Sequence, residues 1–404
     1  MASIFPFAAL RPAPSAAAAV AAVPYDVVST DEARTSAAGN PLSFLHVSRA
    51  EIDLPPGTDP YSDAVYQRAA ENFRDLRARA PLVEEDAPAF YVYRLEMGGH
   101  VQTGIAACFS LDEYDKNLIR KHERTRPEKE DDRTRHMLAI SAQTGPVFLT
   151  YAASTAIDDV VHRTASGEPL FDFVAPDGIR HAIWTVDPAD QAAVVAGFEA
   201  LPALYIADGH HRAASAARAR RALAGRGPGE HDHLMAVAFP DDQVQILPYN
   251  RVVKDLQGMT EARFVEAVGA RATVLEHSQD VAARRGHAAM YVGSRWYALE
   301  LDASALEGDA ASTLDVAVLQ RTVLEPVLGI QDVRTDKRID FVGGIRGTAE
   351  LERLVDSGAW AVAFALHPVA VRDLMDIADA GGIMPPKSTW FEPKLRDGLL
   401  CHLI

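Results

Sequence analysis

The run Leu204-Tyr205-Ile206-Ala207-Asp208-Gly209-His210-His211-Arg212 constrains the fold more than any other stretch of this 404-residue chain. An apolar strand enters an Asp-Gly turn, and a helical segment follows to about Ala224. The same alternation surrounds it. Ile183–Val186 reads as a strand, Pro188–Ala200 as a helix, and Leu234–Phe239 and Val244–Leu247 as strands, the last ended by Pro248. Strands alternating with helices imply a mixed α/β or α+β core. The length exceeds one ordinary small core. The expected division is a first lobe over 1–250 and a second α/β lobe over 251–404, whose C-terminal tail returns to the first. There is no internal repeat and no low-complexity linker, so the lobes are expected to pack intimately.

Elsewhere the pattern is local. Asp59-Pro60 opens a helix by the usual cap-then-proline signal, with Val65, Ala69, Phe73 and Leu76 on one face. Phe90–Met97 and His100–Phe109 form a hairpin about Gly98-Gly99. Pro127 opens a helix to about Gln143, and Val147–Tyr151 is a short strand. In the last third, Leu314–Leu324 and Val369–Ala378 read as helices and Trp360–Leu366 as a strand, before a tail at Met384–Leu395.

Composition narrows the partners. A formal net charge of -16 argues against a nucleic-acid binder, although a local basic pocket for a small anion remains open. Two cysteines, Cys108 and Cys401, are too few for a disulfide framework or a cysteine zinc site, which fits a reducing cytoplasm. No run has the length of a membrane-spanning helix. The apolar Ala16–Val23 lacks a basic flank and is bracketed by prolines, so it reads as a short surface helix. A homo-oligomer is compatible with all of this.

Three clusters carry chemistry. In the Asp208 loop, backbone N–H groups at a helix N-terminus make an anion site, and Gly209 lets a ligand approach the backbone. Arg212 can fork onto phosphate oxygens, Asp208 can hold a magnesium ion or take a proton, and His210 or His211 can bind phosphate or move a proton. The second cluster is Lys121-His122-Glu123-Arg124-Thr125, which brings a base, a cation and a hydroxyl together; the alternative is a solvated charged helix. The third is Lys387-Ser388-Thr389 with Lys394, stiffened by prolines, either a phosphate-binding strand or an exposed edge. Asp26, after Pro24-Tyr25, adds a carboxylate. There is no Walker loop, no Rossmann glycine fingerprint and no zinc-protease helix.

Taken in order, these segments resemble a family of unknown function numbered one thousand and fifteen, often labelled SpoOJ/ParA/ParB-like. The carriers are Phe5-Pro6, Arg11-Pro12, Pro24-Tyr25-Asp26-Val27, Ser43-Phe44-Leu45-His46, Lys121-His122-Glu123, Ala207 to Arg212, Asn250-Arg251, Leu324-Glu325-Pro326 and Met384 to Thr389. More distantly, the Asp208 loop is similar to the phosphate-binding loop of the ParB/sulfiredoxin superfamily. Its free-serine kinases carry an Asp-Gly-x-His-Arg loop, matched here by Asp208, Gly209, His211 and Arg212. The resemblance implies a ParB/sulfiredoxin-like core with insertions. It also implies a phosphotransferase acting on free serine or a similar hydroxy compound, with ATP, ADP or pyrophosphate as donor and magnesium. Those kinases use an early glutamate as base; Asp26 is the candidate here, and Glu123 its competitor. The sulfiredoxin cysteine is absent, His210 and His211 standing there. Two alternatives are a non-catalytic nucleotide-binding module, and a metal-dependent hydrolase with Asp208, His210, His211 and His122 as ligands.

Overall fold

The computed structural model describes residues 2–79, 82–276, 284–302 and 309–404. The chain is mixed α/β and divides into two compact units: Met1–Val244 with Pro393–Ile404, and Gln245–Glu392.

The first unit is built on a nine-stranded mixed sheet. Its strands are β1 (Ile4–Phe5), β2 (Tyr91–Met97), β3 (His100–Ser110), β4 (Ile119–Arg120), β5 (Val147–Tyr151), β6 (Phe171–Val174), β7 (Arg180–Thr185), β8 (Leu204–Asp208) and β9 (His233–Pro240). They lie in the order β4-β8-β5-β9-β3-β2-β7-β6, with β1 also on β3. β2 and β3 form the expected hairpin, Met97 facing His100. β8 runs parallel to β4 and antiparallel to β5, and β5 is parallel to β9. Every residue of β5 and the first four of β8 are buried, as their continuous apolar character requires.

Three helices matter for the site: α1 (Asp63–Arg79), α2 (Pro127–Ile140) and α3 (His210–Leu223). α1 buries Val65, Ala69, Phe73 and Leu76, the face its spacing predicts. In α3 the buried Ala213, Ala216, Ala217 and Ala219 join the alternate residues Leu234, Ala236 and Ala238 of β9 in one core. Small side chains let that helix lie close to its neighbours. α2 stops at Ile140 rather than near Gln143, because Ser141 is left-handed at φ 51° and Ala142-Gln143 turn into a strand on His402-Leu403.

Ala16–Val23 is not the surface helix expected. Ala17 and Val20 are fully buried, Val20 in a second core with Leu10, Phe44, Phe73 and Cys401. Small apolar residues there serve close packing, not solvent exposure. The C-terminal segment is threaded into the same region by paired backbone bonds, Leu10 with Cys401 and Ala22 with Asp397.

The second unit holds an antiparallel six-stranded sheet. Its order is Thr273–Glu276, Arg295–Glu300, His287–Val292, Val362–Leu366, Tyr249–Val253, Ile339–Gly343. Helices Glu261–Gly269, Gly347–Asp356 and Val371–Asp379 accompany it. The helix expected over Leu314–Leu324 is an α-turn segment, Asp315–Leu319, that widens into a π-helix over Gln320–Leu324. Among the described residues, no helix is long and apolar enough to cross a membrane.

Candidate functional site

The strand-to-helix junction sets the site. Between Ile206 and Asp208 the pairing of β8 with β5 shifts register, so a bulge at Ala207 re-aims the Asp208 side chain at the strand end. Gly209 follows at φ 94°, in the left-handed region, and caps α3 without any side-chain cap. Gly209 offers no side chain to cap the helix, and the first N–H groups of the helix have no intrahelical acceptor.

Arg212 folds back over this turn. Its guanidinium donates to the Pro146 carbonyl and, over 3.1 Å, to Asp208 Oδ2. A Cβ on Gly209 would lie 3.0–3.1 Å from Arg212 Nε, Cζ and Nη2, so only glycine leaves the guanidinium its place. Burial opposes the Arg212 charge, but Asp208, Asp26 and Asp397 together hold it in the protonated form. Lys394, from the C-terminal segment of the same unit, places Nζ 3.7 Å from Asp208 Oδ2. Two cations thus meet one carboxylate beside a helix N-terminus capped by glycine.

That pairing bears on magnesium. Asp208 is the residue expected to hold that ion, but its carboxylate is already shared by Arg212 and Lys394. A carboxylate neutralised by two cations is a poor ligand for a third, so these residues do not fit a magnesium ion held by Asp208.

The histidines divide. His122 and His210 are 2% and 4% exposed, with rings edge-to-face at 4.4 Å. The His122 N–H donates to His210 Nε2 over 3.4 Å, which puts the His210 ring proton on Nδ1, 3.9 Å from Glu123 Oε2. Burial pushes His122 down to about 4 and His210 well below its ordinary value, so both are neutral near pH 7. Buried and neutral, the two rings pack on each other, with the backbone of His122 bonded to the His210 ring. His211 is half-buried; its Nε2 accepts from the Arg126 N–H over 3.1 Å, leaving Nδ1 as its donor. Burial lowers its proton affinity too, against the opposing charge of Asp26.

The remaining expected residues fall as follows. Asp26 is exposed, and its charge acts on His211, Arg212 and Asp397. Glu123 is about half exposed, with its side chain at 46%. Lys121 stacks its ammonium over the Tyr114 ring at 3.8 Å, and burial lowers its pKa. The Thr125 hydroxyl is spent on Glu130 Oε1. Lys387 and Ser388 belong to the second unit. There the Lys387 carbonyl accepts from Arg251 and the Ser388 hydroxyl donates to the Pro385 carbonyl over 2.6 Å.

The structure adds residues that the sequence did not single out. A cavity of about 40 Å³ is lined by Tyr25, Ser48, Arg133, His136, Gly145, Arg212 and Asp397, among others. Arg133 forks onto Asp132 at 2.9 and 3.0 Å and lies 4.1 Å over the Tyr25 ring. Asp132 also accepts from the Tyr66 hydroxyl over 2.9 Å. Asp397 is fixed by its backbone pair with Ala22 and lies so close to Gly145 that a Cβ there would meet Oδ1 at 2.4 Å. Burial, with the charge of Asp26, pushes the Asp397 carboxyl up to about 7, although Arg212, Arg133 and Arg396 pull the other way. Gly145-Pro146 and Arg396-Asp397-Gly398 are ordinary turn sequences, and nothing local marks them as a site.

The metal set Asp208, His210, His211 and His122 is not assembled as a ligand cluster. Among the described residues the side chains that could share an ion are Glu230, His233 and His402, which stand within 4.8 Å of one another.

No curated protein matches the chain. Solved structures to which the chain shows a low similarity include a conserved hypothetical protein from Pyrococcus furiosus, 15% identical, covering 74% of this chain and 95% of that one at a TM-score of 0.37. A free serine kinase in complex with AMP is 15% identical, covers 73% and 92%, and scores 0.36. SbnI with a C-terminal truncation, from Staphylococcus aureus, is 13% identical, covers 74% and 87%, and scores 0.40. The profile of the family described as "Protein of unknown function (DUF1015)" matches residues 4–318. The chain belongs to that family, DUF1015.

Proposed function

We propose that the first unit is a phosphotransferase site, which holds a nucleotide or pyrophosphate donor at the N-terminus of α3 and passes a phosphoryl group to a small hydroxy compound such as free serine. One observation carries the reading: Arg212 and Lys394 converge on Asp208 beside the N-terminus of a fourteen-residue helix whose N-cap is Gly209. Phosphoryl transfer needs alignment and charge neutralisation more than covalent chemistry. A guanidinium, an ammonium and free backbone N–H groups supply both. Asp208 keeps the two cations in place when no donor is bound, and the donor phosphate then competes with it for them. His211 Nδ1–H is a further neutral donor at the same turn.

The test is phosphorus NMR of the full chain with ATP, ADP or pyrophosphate, added magnesium chloride, and serine, threonine or sugars as acceptors. A new phosphomonoester signal is expected, and Arg212→Ala and Lys394→Met should each weaken donor binding. A donor that binds at the Arg212 site with no phosphoester from any acceptor would make the chain a nucleotide-binding module without turnover.

A further inference from the structure

Three residues that line one cavity each carry a buried polar atom with no hydrogen-bond partner: Ser48 Oγ, Arg212 Nε and Asp397 Oδ1. These residues are 3%, 9% and 4% exposed, so solvent at the surface does not satisfy them. An unmade hydrogen bond on a buried group costs about 1–3 kcal/mol, and more when the group is charged. Three such groups around one space imply an occupant. The space is about 40 Å³, roughly three times the ~10–15 Å³ that one water needs.

The unmet needs define the occupant. Arg212 Nε–H requires an acceptor, the Asp397 carboxylate requires a donor once it has lost its proton, and Ser48 Oγ takes either role. An ammonium would satisfy Asp397 but not Arg212. A carboxylate would do the reverse. A hydroxyl donates and accepts at once. The volume suits a hydroxymethyl end rather than a whole nucleotide, and the rest of such a molecule would extend toward the cavity mouth. The same guanidinium lies against Gly209, at the turn where the donor phosphate is placed, so Arg212 is common to both positions.

We infer that this cavity is the acceptor subsite, that it takes the hydroxyl end of a small hydroxy compound between Arg212, Ser48 and Asp397, and that Asp397 is the general base. The inference rests on the phosphotransferase reading for its chemistry but not for its binding. In the step, Asp397 Oδ1 takes the hydroxyl proton, and the hydroxyl oxygen forms the new O–P bond. The bond from the terminal phosphorus to the donor's bridging oxygen breaks, and the leaving phosphate or nucleotide keeps that electron pair. Asp397 ends protonated and the phosphoester is released. Asp26 and Glu123, both more exposed, are then not needed as bases.

Two measurements on the full chain test this. Saturation-transfer NMR with L-serine, without donor, should show binding that Ser48→Ala weakens about tenfold. In steady-state transfer, Asp397→Asn, nearly isosteric, should lower kcat about a hundredfold or more and abolish the acidic limb of the pH profile, while leaving calorimetric donor affinity within twofold. That retained affinity also reports a folded variant. If the parent transfers phosphate and both variants match it in rate and acceptor KM, the subsite is wrong and the phosphotransferase reading stands. If the parent transfers nothing yet binds L-serine through Ser48 and Asp397, the subsite stands and that reading falls. A cavity that holds water only would show no L-serine signal in the parent and no acceptor effect in Ser48→Ala, which overturns the inference.

Discussion

Gly209→Ala separates backbone strain from the contact that places Arg212. Gly209 has φ 94°, and a left-handed conformation costs a residue with a Cβ about 1–2 kcal/mol. Gly39, exposed at φ 75° with nothing within 4 Å of a built Cβ, would suffer that strain alone. At Gly209 the new methyl would also stand 3.0–3.1 Å from the Arg212 guanidinium. That group is tied to the Pro146 carbonyl and to Asp208, and cannot retreat without giving up one of them. A hydrogen bond to a charged group contributes about 1.5–3 kcal/mol. Gly39→Ala should therefore cost about 1–2 kcal/mol in urea unfolding, and Gly209→Ala about 2.5–5 kcal/mol. A displaced guanidinium should also weaken pyrophosphate or ADP binding about tenfold or more, the equivalent of about 1.4 kcal/mol. Gly39→Ala should leave the donor isotherm as in the parent. Equal losses of stability in the two variants, with unchanged donor affinity in Gly209→Ala, would refute the claim that glycine is there to seat Arg212.

The buried charges make two further predictions. Asp397 holds its proton up to about 7 in the folded chain against an ordinary value of 3.8, facing Arg212, Arg133, Arg396 and Asp26. The native state then binds more protons than the unfolded state between those values, so this group's contribution to stability falls as pH rises through that window and is level above it. At about 1.36 kcal/mol per tenfold in proton affinity, Asp397→Asn should be more stable than the parent at pH 8 by up to roughly 4 kcal/mol. The gap should close toward pH 4 in paired thermal melts; a gap that widens on acidification would reverse the sign argued here. Arg133→Met removes the fork on Asp132, which is 4% exposed, and should cost about 3–5 kcal/mol in urea unfolding. A loss under 1 kcal/mol would show that Tyr66 alone satisfies that carboxylate.

The sequence reveals this site unevenly, for physical reasons. A strand, an Asp-Gly turn and a helix are local, and their chemistry was legible because β8 and α3 are written in consecutive residues. The face of α1 was legible for the same reason: Val65, Ala69, Phe73 and Leu76 repeat at the helical period. The burial of Ala17 and Val20 is not legible because small apolar residues suit an exposed short helix and a close-packed one equally; for Val20 the neighbours Leu10 and Phe44 decide. The burial of His122 and His210 is not legible, because residue type gives no burial; their rings pack on each other and stay neutral.

Asp397 lay beyond sequence reasoning for a deeper reason. Its meaning depends on residues distant in the chain: Ala22, which pins its backbone; Gly145, which makes room for its carboxylate; and Arg212, which shares its cavity. Each is ordinary in its own context. Lys394, three residues earlier, was legible as a cation in a stiff tail, yet only the fold shows that it reaches Asp208. The C-terminal segment thus brings a cation to the strand end and a carboxylate to the cavity. The segment is held to the N-terminal region of the same unit by the backbone bonds of Asp397 to Ala22 and of Cys401 to Leu10. Shortening the chain before Pro393 would therefore remove Lys394 and Asp397 together while leaving the Asp208 turn unchanged in sequence. A site read from that turn alone would keep Arg212 as its cation but lose the carboxylate that makes the neighbouring cavity selective for a hydroxyl.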